Sequence, residues 1–351
     1  MSVDKLVRPE ILALKAYHVP SSAGMVKLDA MENPFPLPDE LRRGLAEALA
    51  RLELNRYPDP GASRLRERIA EKMGVPPGMG VLLGNGSDEL LQIAAVALAR
   101  PGATMMFPAP TFVMYSMYAS FTGMRAVAVP LGPDYSLDAA AFIERMRAEN
   151  PALVFIAYPN NPTGVLYPHA DVAAIVRACP GLVVIDEAYH AFAGRTFMGE
   201  LAQFENLAVL RTVSKLGLAG IRLGYLAGRP EWLEQFDKVR SPYNISVLTQ
   251  AAALFLLEHL DVLEAQAARI REEREALAAS LARMPGVTVF PSQANFLLVR
   301  VPDADRTFAD LLRLRVLVKN LNGPAMKNCL RITVGTPEEN RILIAALKEA
   351  L

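Results

Sequence analysis

The sequence predicts an α/β protein: a large unit on a mostly parallel sheet with helices on both faces, followed by a smaller α+β unit. Three observations lead there. Between about residues 60 and 230, apolar runs of four to six residues alternate with longer helix-periodic stretches, the pattern of strands buried on both faces and joined by helical crossovers. After SPYNIS (241–246) the alternation stops, and two long helical patterns lead into short strands. Several apolar runs also end on polar residues of complementary chemistry, as parallel strands do where their carboxyl ends open on a ligand crevice.

Taken in order, VLLG (81–84), ATMMF (103–107), RAVAV (125–129), LVFIA (153–157), LVVID (182–186), LAVLR (207–211) and LGYLA (223–227) are the strands of the large unit. Helical periodicity lies between most of them, as in SDELLQIAAVALA (87–99) and LDAAAFIERMRAE (137–149). SVLTQAAALFLLEHL (246–260) and DVLEAQAARIREEREALAASLARM (261–284) read as two long helices, the second with a charged and an apolar face. VTVF, NFLLVR, VLVKN and LRITVG follow as short strands, with two further helices. The expected organisation is a large domain over 30–243 and a small domain made of 1–29 plus 244–351.

Hydrophobic residues make up 52% of the 351, ample for a sizeable core and more than one domain. Lys+Arg and Asp+Glu number 37 each, so no broad basic field points to nucleic acid or an anionic membrane. Cys179 and Cys329 stand far apart with no CxxC or Cys/His cluster, and the four histidines are scattered; a reduced compartment and no metal site are expected. The amino-terminal MSVDKLVRPEILALKAYHVP lacks the layout of a signal peptide. No run approaches the roughly 18 uninterrupted apolar residues of a membrane span, so a soluble, cytoplasmic protein is expected.

The chemistry-bearing strand ends come in a fixed order. Asn160-Asn161-Pro162-Thr163-Gly164 follows LVFIAYP, Asp186-Glu187-Ala188-Tyr189 closes LVVID, and Thr212, Ser214 and Lys215 follow LAVLR, with Arg222 seven residues on. Each alone has an ordinary reading: a lysine after a strand is usually solvated, and an aspartate at a strand end more often caps a helix. Their joint occurrence describes a pyridoxal phosphate site. Lys215 offers the amine for a Schiff base and, once freed, a base for proton transfer at the substrate α-carbon. Asp186 pairs with the pyridine nitrogen and keeps it protonated. Asn161 and Tyr189 donate to the phenolate oxygen, and Phe112 in PAPTFVMY is placed to stack on the ring.

Thr212, Ser214 and Arg222 suit the cofactor phosphate. So does the turn Gly84-Asn85-Gly86-Ser87-Asp88-Glu89, where a helix start presents backbone N–H groups. That turn is not a dinucleotide GxGxxG, because Glu89 stands where a third glycine would allow close helix packing.

NNPTG, DEAY, SK and GIRLGY, together with LDAMENPFPLP (28–38), NRYPDPGASRLRE (55–67) and CLRITVGTPEEN (329–340), resemble the histidinol-phosphate aminotransferases, class II enzymes of fold type I, over essentially the whole chain. The resemblance implies pyridoxal phosphate as cofactor and a ping-pong exchange in histidine biosynthesis. Histidinol phosphate plus 2-oxoglutarate would be interconverted with imidazole-acetol phosphate plus glutamate. It also implies a homodimer in which Tyr57 reaches the cofactor phosphate across the interface. By the same resemblance Arg331 binds the acidic group of the substrate, and Tyr17 and Asn33 lie near it. Relatives of this architecture decarboxylate threonine phosphate or transaminate aromatic amino acids, and both stay open as alternatives.

Three features depart from the family pattern. The family often has NENP, where this chain has Met31-Glu32-Asn33-Pro34. The Lys215–Arg222 spacing is one residue shorter than in many relatives, which calls for a tighter turn. VLVKN carries Lys319 where some relatives have arginine, a point charge in place of a planar fork.

Overall fold

The computed structural model describes residues 3–16 and 19–351. A short strand, β1 (Val26–Lys27), precedes the main sheet. The seven apolar runs become β2 (Gly80–Asn85), β3 (Thr104–Ala109), β4 (Arg125–Pro130), β5 (Leu153–Ala157), β6 (Leu182–Asp186), β7 (Leu207–Thr212) and β8 (Leu223–Gly228). They form one sheet in the order β2-β8-β7-β6-β5-β3-β4, with β8 antiparallel to both neighbours and the other pairs parallel.

β5, β6 and β7 are buried along their whole length, which is why they read as unbroken apolar runs. Successive side chains nevertheless serve different cores. Val154, Ile156, Val183 and Ile185 pack on one face, and Phe155, Leu182, Val184 and Leu210 on the other.

The strand order reverses between β3 and β5, which places a ligand crevice outside their carboxyl ends. Because β8 runs against its neighbours, its first residue lies at the same edge as the last residues of β2 and β7: Leu223 pairs with Asn85, and Gly224 with Thr212. Whatever follows β2, β3, β5, β6 and β7, or precedes β8, therefore meets at that edge.

The carboxyl-terminal part contains β9 (Thr288–Val289), β10 (Phe296–Arg300), β11 (Val316–Leu317), β12 (Lys319–Asn320) and β13 (Cys329–Thr333). β12-β13-β10-β9 form an antiparallel sheet, while β11 pairs in parallel with β1. The expected strand VLVKN thus splits at Val318 between two sheets. Leu28, Leu297, Val299, Leu330 and Ile332 fill a separate core. The helix Leu260–Leu281 belongs to both: Leu263, Ala267 and Ile270 join the core of the large sheet, Leu277 and Leu281 that of the small one. Among the described residues, no helix is long and apolar enough to cross a membrane.

Candidate active site

Lys215 stands in the turn after β7. Ser214–Leu218 and Ala219–Ile221 make two successive helical turns, with Gly217 at φ 132° and Arg222 at φ 52°. Those positive φ values are how the short Lys215–Arg222 connection doubles back to the strand edge. Lys215 Nζ donates to the Ala30 carbonyl at 2.9 Å. Burial, followed by the nearby Arg331 guanidinium, pulls its ammonium down to about 8, so a free amine is reachable near neutral pH.

Asp186 ends β6 between Ala157 of β5 and Leu210 of β7. Its Oδ2 accepts from the Tyr115 hydroxyl at 2.8 Å and its Oδ1 from the Ala188 N–H at 3.1 Å. Burial pushes the carboxyl up to about 6 against those two donors. A carboxylate held in that state favours a protonated partner.

Arg331, on β13, donates from Nη1 to Asn161 Oδ1 at 2.6 Å and from Nη2 to the Asp29 carbonyl at 2.8 Å. The first bond fixes the Asn161 amide with its oxygen toward Arg331, leaving the Nδ2 donor on the other side. Phe296 underlies both the arginine, 5.5 Å from the ring centre, and the edge-on Tyr189, with centroids 5.1 Å apart. Lys319 is the cross-strand partner of Arg331 on β12, so the lysine that replaces an arginine sits in the next strand position to one.

The anion-facing side is built from glycine. Gly86, at φ 81°, starts the helix Ser87–Leu98 without a side-chain cap, so the first N–H groups remain open to an anion. A Cβ at Gly86 would stand 2.6 Å from Arg222 Nη2, and one at Gly224 would stand 2.6 Å from Ser87 N. Only glycine at both positions lets the arginine, β8 and the helix start come this close. The Thr212 and Ser214 hydroxyls lie 2.9 Å apart, Arg222 Nη1 donates to Ser214 Oγ at 3.4 Å, and Asp88 is 4.0 Å from Arg222. Glu89 is engaged locally: it accepts from Asn85 N at 2.6 Å and from Asn244 Nδ2 at 2.7 Å.

One cavity is lined by Ser87, Asp88, Thr212, Ser214 and Arg222 together with Phe112, Asn161, Asp186, Tyr189 and Lys215. The sequence reading gathered those ten residues from five separate segments. Asn33 is bound into the loop beneath Lys215. Its amide nitrogen donates to Leu216 O at 3.0 Å and Gln266 Oε1 at 2.8 Å, and its oxygen accepts from Phe35 N at 2.9 Å. Tyr57 lies on the surface, 81% exposed, stacked on Tyr243 with ring centroids 4.5 Å apart. Tyr17 lies outside the described residues. Four residues of the site were not singled out as such from sequence: Met31, Ala157 and Ala188, which line the cavity, and Tyr115. Tyr115 falls three residues after Phe112, a helical spacing that reads as core.

A lysine and an aspartate on the carboxyl edge of an α/β sheet, beside an uncapped helix start and an arginine, define an enzyme of amine chemistry that binds an anionic group. The sequence matches the family described as aminotransferase class I and II over residues 23–347, and the chain belongs to that family. It is 56% identical to histidinol-phosphate aminotransferase 2 of Cupriavidus pinatubonensis, over 99% of this chain and 97% of that one. To the histidinol-phosphate aminotransferase of Chromobacterium violaceum it is 52% identical, over 99% and 98%. The fold is similar to the crystal structure of histidinol-phosphate aminotransferase from Sinorhizobium meliloti in complex with pyridoxal-5'-phosphate. The TM-score is 0.89 at 27% identity, covering 98% of this chain and 97% of that one.

Proposed function

We propose that this aminotransferase holds pyridoxal phosphate in the Lys215 cavity and exchanges amino groups between histidinol phosphate and 2-oxoglutarate, a step of histidine biosynthesis. The observation that carries the reading is the single cavity on which Lys215, Asp186, Asn161, Tyr189, Ser214 and Arg222 meet. The donor set fits the cofactor group by group: an amine of lowered pKa, a buried carboxylate of raised pKa, and a glycine cradle beside an arginine. Bound pyridoxal phosphate supplies a carbonyl carbon for the substrate amine and a protonated ring that accepts the electrons left on the α-carbon.

The chain's own residues do the rest. Lys215 is the anchoring amine, and the same nitrogen holds the proton that leaves the substrate carbon. Asp186 keeps the ring nitrogen protonated, Asn161 and Tyr189 donate to the ring oxygen, and Phe112 covers a ring face. The Ser87 and Asp88 backbone N–H groups at the helix start that Gly86 opens, the Thr212 and Ser214 hydroxyls and Arg222 hold the phosphate end. Arg331 grips the acidic group of each substrate in turn, since phosphate and carboxylate both accept paired N–H donors. Tyr17 and Asn33 are assigned to the substrate side, Asn33 through the Lys215 loop.

The reading includes a cytoplasmic homodimer in which Tyr57 reaches the phosphate bound by the neighbouring copy. The exposed Tyr57–Tyr243 stack, with Leu54 69% exposed three residues before Tyr57, supports this. It also includes the division at 30–243 and 1–29 plus 244–351. Leu28 in the small core and Met31 in the large one support its first boundary.

Single-turnover spectroscopy tests the function. Histidinol phosphate is expected to abolish the visible band of the bound cofactor, and 2-oxoglutarate to restore it. A band unmoved by histidinol phosphate but lost with phenylalanine or tyrosine would replace the substrate. Release of CO2 from threonine phosphate without 2-oxoglutarate would replace the reaction.

A further inference from the structure

We propose that Tyr115 is a positioning residue for the reaction: its hydroxyl, 2.8 Å from Asp186 Oδ2, keeps that carboxylate ionised and aimed, so that the proton of the pair stays on the cofactor's ring nitrogen. The inference rests on the reading above that Asp186 faces that nitrogen.

Tyr115 is fully buried on the helix Met114–Thr122. Its ring stacks on Phe155 of β5 with centroids 4.8 Å apart and an interplanar angle of 23°. It is tilted against Phe107 of β3 at 6.0 Å and meets Phe112 edge-on at 5.6 Å. Three aromatic contacts leave the ring one placement, and phenylalanine would satisfy all of them. The hydroxyl is what the apolar setting does not explain, because a buried polar group needs a partner. That partner is Asp186.

The phenol is a donor only. Burial, and then the negative Asp186, hold its ionisation well above the ordinary tyrosine range. The groups that bear on Asp186 come from every neighbouring segment. Asp88 lies on the helix Ser87–Leu98, Tyr115 and Tyr118 on Met114–Thr122, and Glu187, the Ala188 N–H and Tyr189 follow β6; Lys215 lines the same cavity. Asp88 and Glu187 raise its proton affinity together with burial, and the Tyr115 and Ala188 donors oppose them. With the hydroxyl gone, Oδ2 loses its donor and the carboxylate becomes the stronger base. The proton it shares with the ring nitrogen then moves to Asp186, while the phenol proton takes no part in the exchange. One side chain thus sets both the Asp186 carboxylate and, through the perpendicular ring contact, Phe112.

Tyr115→Phe keeps the ring contacts and removes the donor. In the apoprotein, the Asp186 carboxyl is followed by infrared difference spectroscopy with Asp186→Asn as the blank. Its protonation midpoint is expected to rise by roughly one pH unit, as for loss of one hydrogen bond to a charged group. In the holoenzyme carrying cofactor labelled with 15N in the ring, the nitrogen signal is expected to move toward the unprotonated range. kcat is expected to fall about tenfold with KM little changed. An unmoved infrared midpoint would overturn the proposal and leave Tyr115 as core. A moved midpoint with an unmoved 15N signal would overturn the placement of Asp186 against the ring, and the proposal with it. Should the phenylalanine variant fail to fold, 3-fluorotyrosine placed at position 115 decides. Its more acidic phenol is a stronger donor and is expected to shift both signals the opposite way, and no such shift would overturn the proposal.

Discussion

Asp186 and Glu187 are neighbours at the end of β6, both closed off from solvent at 5% and 0% exposure, and the protein surrounds them in opposite ways. Glu187 is complete. Arg211 of β7 donates to its Oε2 at 2.9 Å, the Phe197 N–H to its Oε1 at 2.6 Å, and the Thr196 hydroxyl lies within reach of both oxygens. Asp186 has two uncharged donors, and the neighbouring charges that act on it most, Asp88 and Glu187, are both acidic. Burial by itself therefore marks neither residue as functional. What separates them is compensation: a buried acid with its cation belongs to the scaffold, and one whose surroundings favour a proton is set for a partner that brings one.

Exchanging each acid for its amide should pull the two apart. Asp186→Asn is expected to reduce turnover by more than about a hundredfold, the scale of a lost proton-holding group, while the apoprotein stays at least as stable as the wild type. Near-normal turnover would reject its pairing with the ring nitrogen. Glu187→Gln should do the reverse. It strands Arg211 in the core, at a cost of about 3–5 kcal/mol, read as a lower midpoint of thermal or urea unfolding. Turnover per folded molecule should be kept. A Glu187→Gln protein of unchanged stability but lost turnover would invert the comparison.

The sequence distinguished these two acids only in part. Asp186 was legible because it closes an apolar strand in line with Asn161 and Lys215 on their own strand ends. Glu187 was not legible as scaffold, because its partner lies 24 residues on, and only the β6–β7 pairing brings the two together. The main strands were readable for a physical reason, since burial on both faces removes polar residues from the run. VLVKN was not divisible in advance: its break at Val318 depends on β1 and β13 competing for the same short segment. Tyr115 was hidden because an aromatic at helical spacing says nothing of where its hydroxyl ends. The bond from Arg331 to Asn161 spans 170 residues, and no local pattern records it, although the motif carrying each residue stood out.

Lys215 extends the comparison from acids to bases, with the paired Arg211 as its counterpart. Its ammonium is held down to about 8 from 10.5, chiefly by burial. Below pH 8 the folded and unfolded apoprotein both carry the proton, and the folded state bears the full penalty of enclosing the charge. Between about 8 and 10.5 the folded amine is neutral while the unfolded one is still charged, so the unfolded chain binds more protons and stability rises with pH. Lys215→Met fills similar space without charge. As apoprotein at pH 7 it is expected to unfold at a higher urea concentration than the wild type, with the gap narrowing across that window. In Arg211 the burial penalty is already outweighed by Tyr225 and Glu187, and Arg211→Met leaves Glu187 unpaired, so it is expected to be destabilising at every pH in the series. A Lys215→Met protein less stable than wild type at pH 7 would mean that the Ala30 bond makes Lys215 part of the scaffold, on the same side of the comparison as Glu187 and Arg211.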